Sequence, residues 1–166
     1  MVIVLMGVSG VGKTEVGTRL AEALGGRFAE GDSFHPPANV AKMESGVPLD
    51  DADRQPWLET LSREIGRWLD AGETVVLACS ALKARYRQVL QAGRPGVRFV
   101  YLKGSKGLIA SRLKQRRGHY MPPSLLDSQF AALEAPEDAI SVEVDQTPDA
   151  IVAEIVAALG EAGPAR

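Results

Sequence analysis

The sequence predicts a three-layer α/β domain, a parallel sheet with helices on both faces. Three observations carry that expectation. Short, β-branched apolar runs such as VIVLM and TVVLA have the pattern of strands buried on both faces. Segments of helical periodicity lie between them, and strand–helix alternation is the signature of right-handed crossovers in a parallel sheet. No internal repeat or low-complexity tract breaks the alternation, and 166 residues suit one domain spanning 1–166.

The elements follow in order. Val2–Met6 is the first strand, and a glycine-rich turn leads into a helix over Lys13–Leu24 that stops at Gly25-Gly26. Arg27–Glu30 reads as a second strand. Pro36-Pro37 suits a helix start, so Ala38–Glu44 is expected to be a short helix closed by Gly46. Asp53–Asp70 is amphipathic, with Trp57, Leu61, Ile65 and Trp68 or Leu69 on one face. Thr74–Ala78 is a third strand, Ala81–Gln91 a helix and Val97–Leu102 a fourth strand. Ser105 to Arg116 is helical, Gly118–Pro123 breaks it, and Ser124–Leu133 resumes it. Ile140–Val144 is the fifth strand and Pro148–Leu159 the last helix.

Composition narrows the function classes. The single cysteine, Cys79, rules out an intrachain disulfide framework and fits a reducing, cytoplasmic setting; it reads as a buried small residue. The apolar start MVIVLM is too short for a secretory signal or a membrane span. Nineteen basic against twenty-one acidic residues leave a net charge of −2, yet Lys83–Arg117 holds eleven Lys or Arg and no acid. Overall acidity and little aromatic interleaving argue against a long nucleic acid; a compact polyanion suits the segment better.

GVSGVGKT, Gly7 to Thr14, matches G-x-x-x-x-G-K-[ST] after a buried strand and at a helix start. Gly7, Ser9, Gly10, Val11 and Gly12 supply backbone N–H groups that turn around phosphate oxygens at a helix N-terminus. Lys13 is expected to reach the β- and γ-phosphates of ATP, and the Thr14 hydroxyl to sit on Mg²⁺. The fold is therefore expected to be a three-layer α/β/α P-loop NTPase with a five-stranded parallel sheet and a helical lid. Strand three ends VVLACS, without the acid that often holds Mg²⁺. Asp32, after strand two, is the best-placed substitute, directly or through water.

Ligands of open parallel sheets bind at the carboxyl ends of the strands. Asp32 and His35 follow strand two, and Ser80 and Lys83 follow strand three, so they should converge with the phosphate loop. Asp32 can orient an acceptor hydroxyl and take its proton. Asp50, Asp51 and Asp53 read as the first turn of the following helix, where acids favour the dipole. Arg54 either neutralises them or faces the crevice as a carboxylate receptor. Met43, Trp57 and Trp68 are expected to pack. SRLKQRRGHYMPP, Ser111 to Pro123, joins cations to helix breakers as a mobile lid requires; the lid is placed at about 112–124, with His119 at its tip.

Together, GVSGVGKT, GDSFHPPANVAKMESGVPLDDADRQPWL, ACSALKARYRQVL and RLKQRRGHYMPPSLLDSQFAALE resemble the gluconokinase family over Ile3 to Glu134. Gln55, between Arg54 and Pro56, is the one departure from the usual pattern. The resemblance implies a nucleoside-monophosphate-kinase-like fold, a homodimer, and ATP-dependent phosphorylation of D-gluconate at its 6-hydroxyl. The product, 6-phosphogluconate, would feed sugar-acid catabolism and the pentose phosphate pathway. The resemblance also implies that Arg112 packs on adenine, that Arg116 contacts ATP phosphates as part of the catalytic set with Lys13 and Asp32, and that Gln146, Thr147 and Pro148 border the base. Asp32, His35, Lys42, Arg54, Lys83, Arg117, His119 and Gln129 become acceptor-side candidates, with segment 32–57 as the acceptor arm and Arg54 first for the sugar-acid carboxylate. Two other readings of the residues stay open: a shikimate or nucleotide kinase on the same fold, and a nucleotide-switched regulator or nucleic-acid-binding NTPase suggested by the basic run.

Overall fold

The computed structural model describes residues 1–115 and 123–161. Five strands, β1 (Val2–Met6), β2 (Arg27–Glu30), β3 (Val75–Ala78), β4 (Val97–Lys103) and β5 (Ile140–Glu143), form one sheet in the order β2-β3-β1-β4-β5. Every pairing is parallel, with Val4 level with Leu77 on one side and with Phe99 on the other. Seven helices connect or flank them among the described residues: α1 (Lys13–Ala23), α2 (Pro37–Glu44), α3 (Asp51–Asp70), α4 (Ala84–Gln91), α5 (Lys106–Gln115), α6 (Pro123–Ala132) and α7 (Pro148–Glu161).

The central strand divides the core by its period of two. Ile3 and Leu5 face a cluster with Val16 and Leu20 of α1, Ile109 of α5, Leu126 of α6 and Ile155 of α7. Val2, Val4 and Met6 face the opposite cluster, where α3 contributes Trp57, Leu58, Leu61, Ile65 and Trp68 and α4 contributes Tyr86 and Leu90. The three layers predicted from the alternation are present.

Local chemistry moved several boundaries. A 3₁₀ turn over Gly31–Phe34, which periodicity did not announce, follows β2 directly. Helix α3 begins at Asp51 rather than Asp53, because Asp50 is its N-cap: the Asp50 carboxylate accepts from Asp53 N–H, and the Asp53 carboxylate accepts from Asp50 N–H. Helix α4 begins at Ala84 rather than Ala81, since Ala81 sits at φ 46°, outside helical geometry. Met43, expected to pack, is exposed, because α2 stands outside the layers that bury side chains against the sheet. Trp57, Trp68 and Cys79 are buried as expected.

Candidate active site

Strand β1 delivers the chain into the phosphate loop, where Gly7, Gly10 and Gly12 adopt φ of 150°, 91° and 97°. Glycine takes such angles without the clash an L side chain would meet. Gly7 N–H donates to Ser80 O at 3.2 Å, tying the loop to the end of β3. Gly12 caps α1 without a side chain, so the first-turn N–H groups stay available to an anion. The Lys13 ammonium donates to Gly7 O and Val8 O at 2.8 and 3.1 Å, which sets its charge within the loop. Burial lowers its pKa to about 8, a pull opposed by Cys79, Asp32 and Glu30 close by.

The Thr14 hydroxyl donates to Glu30 Oε2 at 2.9 Å. Glu30 ends β2, and burial raises its pKa while the Thr14 hydrogen bond lowers it. Among the described residues no cage of three or more His, Cys, Asp or Glu side chains exists. Mg²⁺ needs none, since it binds through one or two carboxylates with waters and phosphate oxygens. Thr14 and Glu30, with Asp32 close behind, form a hard oxygen set of that kind, so the residues fit the ion.

The acceptor arm is pinned where it leaves the sheet. A Cβ at Gly31 would lie 2.5 Å from Ala78 O, so only glycine allows the 3₁₀ turn to lie this close to β3. Trp57 Nε1–H of α3 donates to Gly31 O at 2.8 Å. Asp32 is then held out with its side chain 79% exposed, and His35 Nε2 lies 3.8 Å from its Oδ1. The His35 ring stacks on Trp57, centroids 4.2 Å apart and 16° between planes. Its pKa is lowered, first by burial and further by Arg54, against the opposing field of Asp32. Lys42 does not stand free: its ammonium donates to both Asp53 oxygens at 2.9 and 2.8 Å.

A second group lies where α3 and α4 begin. Tyr86 OH donates to Asp51 Oδ1 and accepts from Arg54 Nη1 at 3.3 Å. Lys83 Nζ is 3.5 Å and Arg85 Nη2 2.5 Å from the Asp51 carboxylate. The charged groups of Arg54, Lys83 and Arg85 lie 5.7, 5.7 and 5.4 Å from the Tyr86 ring centroid. Three cations thus gather around one phenol and two of them meet a single carboxylate, leaving an excess of positive charge there. Asp51 is more than a helix-start acid: the phenol, Lys83 and Arg85 hold its pKa below the usual carboxylate range, the phenol most strongly.

On the other side of the loop, Arg112, Gln146 and Pro148 line a cleft of about 280 Å³ with Gly10, Gly12 and Val16. Arg112 donates to Val144 O, whereas Thr147 Oγ1 accepts from Ala150 N–H and so caps α7. Gln129 lies against the phosphate loop: its Oε1 accepts from Ser9 N–H at 2.7 Å and its Nε2 donates to Ser9 Oγ at 3.0 Å. Ser80 meets the loop through its carbonyl. Arg116, Arg117 and His119, and with them most of the expected lid, lie outside the described residues.

Sequence reasoning passed over Glu30, Asn39, Arg85 and Tyr86, and read Asp51 only as a helix-start acid. Glu30 carries a signal of its own, an acid at the carboxyl end of a strand two residues before Asp32. Asn39, four residues after His35 across a helix start, carried a spacing signal. Nothing in the sequence pairs Asp51 with Tyr86, thirty-five residues away.

Comparison with known proteins gives a consistent picture. The AAA domain family matches residues 2–136. A gluconokinase from Gluconobacter oxydans (strain 621H) is 48% identical over 157 residues, covering 93% of this chain and 88% of the relative. The crystal structure of a gluconokinase from Sinorhizobium meliloti 1021 superposes with a TM-score of 0.86 at 47% identity, covering 96% of this chain and 91% of that one. Shikimate kinase from Aquifex aeolicus vf5, at 16% identity and a TM-score of 0.61 over 99% of this chain and 100% of that one, shares the fold alone.

Proposed function

The chain belongs to the gluconokinase family, and from that premise we propose that it moves the γ-phosphoryl group of ATP to the 6-hydroxyl of D-gluconate. The products are 6-phosphogluconate and ADP. The observation that carries the reading is a pair of unlike groups, an acid and a cluster of cations, whose Asp32 and Arg54 both act on His35. Asp32 stands beside the phosphate-loop lysine, and Arg54, Lys83 and Arg85 surround Tyr86. A polyhydroxy acid has the matching polarity: a primary hydroxyl at one terminus and a carboxylate at the other.

In this mechanism Asp32 is an exposed carboxylate that accepts the 6-hydroxyl proton and aims the oxygen at the phosphorus. Lys13, carrying its proton once phosphates surround it, spreads the charge on the transferring group. Gln129 holds the loop in shape through Ser9. Thr14 and Glu30, with Asp32 nearby, would hold Mg²⁺, and the ion would neutralise phosphate charge. Arg54 grips the carboxylate as a planar fork while Lys83 and Arg85 add field. His35 and Lys42 shape the middle of the arm. Arg112, Gln146 and Pro148 border the base.

The unit is a single kinase domain working as a cytoplasmic homodimer without nucleic-acid or membrane partners. The free, buried Cys79 suits a reducing compartment. The test is to offer gluconate, shikimate and nucleoside monophosphates in parallel, with ATP and Mg²⁺, and follow ADP. Gluconate is expected to dominate; preference for another acceptor overturns the reading.

A further inference from the structure

Asn39 is a buried polar residue, 3% exposed, and the proposed chemistry gives it no task. Its amide nitrogen has two neighbours: Asp53 O at 2.8 Å and His35 Nδ1 at 3.2 Å. A backbone carbonyl only accepts, so the amide nitrogen, and not its oxygen, must face Asp53. Reversing the amide would set two carbonyl oxygens against each other in a dry site. The same nitrogen therefore meets His35 Nδ1 and has only a proton to offer it. Nδ1 must then be the bare acceptor, and the ring proton must sit on Nε2, the atom 3.8 Å from Asp32 Oδ1.

We propose that Asn39 is a positioning residue that fixes His35 as its Nε2–H tautomer and so orients the Asp32 carboxylate toward the acceptor hydroxyl. The inference rests on Asp32 receiving that hydroxyl. A separation of 3.8 Å exceeds a direct hydrogen bond, so the N–H acts through its dipole or one bridging water. A small rotation of the exposed Asp32 side chain brings the pair into contact. The other tautomer would aim an imidazole lone pair at the carboxylate and push it away. The surroundings allow little freedom: the ring is stacked on Trp57, which is itself anchored to Gly31 O, and Arg54 is the remaining charge that acts on it. One buried amide thus links the start of α3, through Asp53 O, to the catalytic end of the arm.

The chain has two histidines, so replacing His119 with Gln leaves His35 as the sole imidazole in a spectrum of isotope-labelled histidine. Proton–nitrogen correlation at mildly basic pH, on the full-length protein without substrate, is expected to show Nε2 protonated and Nδ1 bare. A protonated Nδ1, or a mixture of tautomers, overturns the proposal without any need for the Asn39 variant to fold. Asn39→Asp is nearly isosteric; it gives up the N–H that met Asp53 O and accepts from Nδ1–H, so the tautomer is expected to switch. With it kcat should fall on the order of tenfold or more while KM for ATP stays unchanged. A switched tautomer with wild-type kcat contradicts the positioning role. Because the native spectrum does not depend on acceptor identity, failure of gluconate as substrate would leave it unmoved, and the two readings fail separately.

Discussion

Replacing Arg54 with Ala tests the cationic cluster. The guanidinium is held by Tyr86 OH at 3.3 Å and lies over its ring, so truncation removes one fork without unpacking α3, whose core face is Trp57, Leu58, Leu61 and Ile65. A hydrogen bond to a charged group contributes about 1.5–3 kcal/mol. At about 1.4 kcal/mol per decade, the loss corresponds to a rise in the gluconate KM of roughly tenfold to 150-fold. The carboxylate lies at the far end of the substrate from the transferring phosphoryl, so it is bound alike in ground and transition states, and kcat should change little. Glucitol, which has a neutral hydroxymethyl group in place of the carboxylate, provides the control, since its weak use should be insensitive to the substitution. The assay is initial-rate ADP release with gluconate and glucitol varied separately, alongside a thermal melt. A gluconate KM unchanged in folded protein, or an equal loss for both acceptors, would refute assignment of the carboxylate to Arg54.

Asp32→Asn is expected to lower kcat by about 10²–10⁴ with little change in KM for ATP, read from steady-state kinetics. Lys13 gives a pH signature: phosphates raise its pKa from about 8, so nucleotide binding should take up a proton and weaken as pH rises through that value. Calorimetry in buffers of different ionisation enthalpy measures the uptake. The sign for folding is set by the same group, because between about 8 and 10.5 the unfolded chain holds more protons. This lysine's contribution to stability without nucleotide therefore increases as pH rises through that window. Gly31→Ala forces a Cβ to 2.5 Å from Ala78 O, and overpacking of this kind costs about 1–3 kcal/mol. The melting temperature should drop by about 2–4 °C per kcal/mol, with a loss of activity because Asp32 rides on the displaced turn.

What could be read from the sequence follows the range of the forces involved. Strand and helix identities come from local periodicity, and β1, α1 and β2 came out within one residue of expectation. The phosphate loop was legible because its glycines and Lys13 serve one ligand over eight consecutive residues. Boundaries set by side-chain capping or unusual backbone angles were less accessible: Asp50 extends α3 by two residues, and Ala81 shortens α4 by three. Contacts between elements were hidden almost entirely. Lys42 and Gln129 could be read as acceptor-side candidates, but not their bonds to Asp53 and Ser9. Arg54 was picked out by chemistry alone, but the ring of Tyr86 that gathers Lys83 and Arg85 around the same spot depends on α3 meeting α4.

The most direct measurement is the phosphorus NMR spectrum of the product formed from ATP and gluconate, recorded alongside ADP release. Transfer oriented by Asp32 with the carboxylate held at Arg54 predicts ADP release that requires gluconate and a phosphoryl group coupled to the two protons of C6. ADP release without acceptor, or phosphate attached at any other carbon, would contradict it.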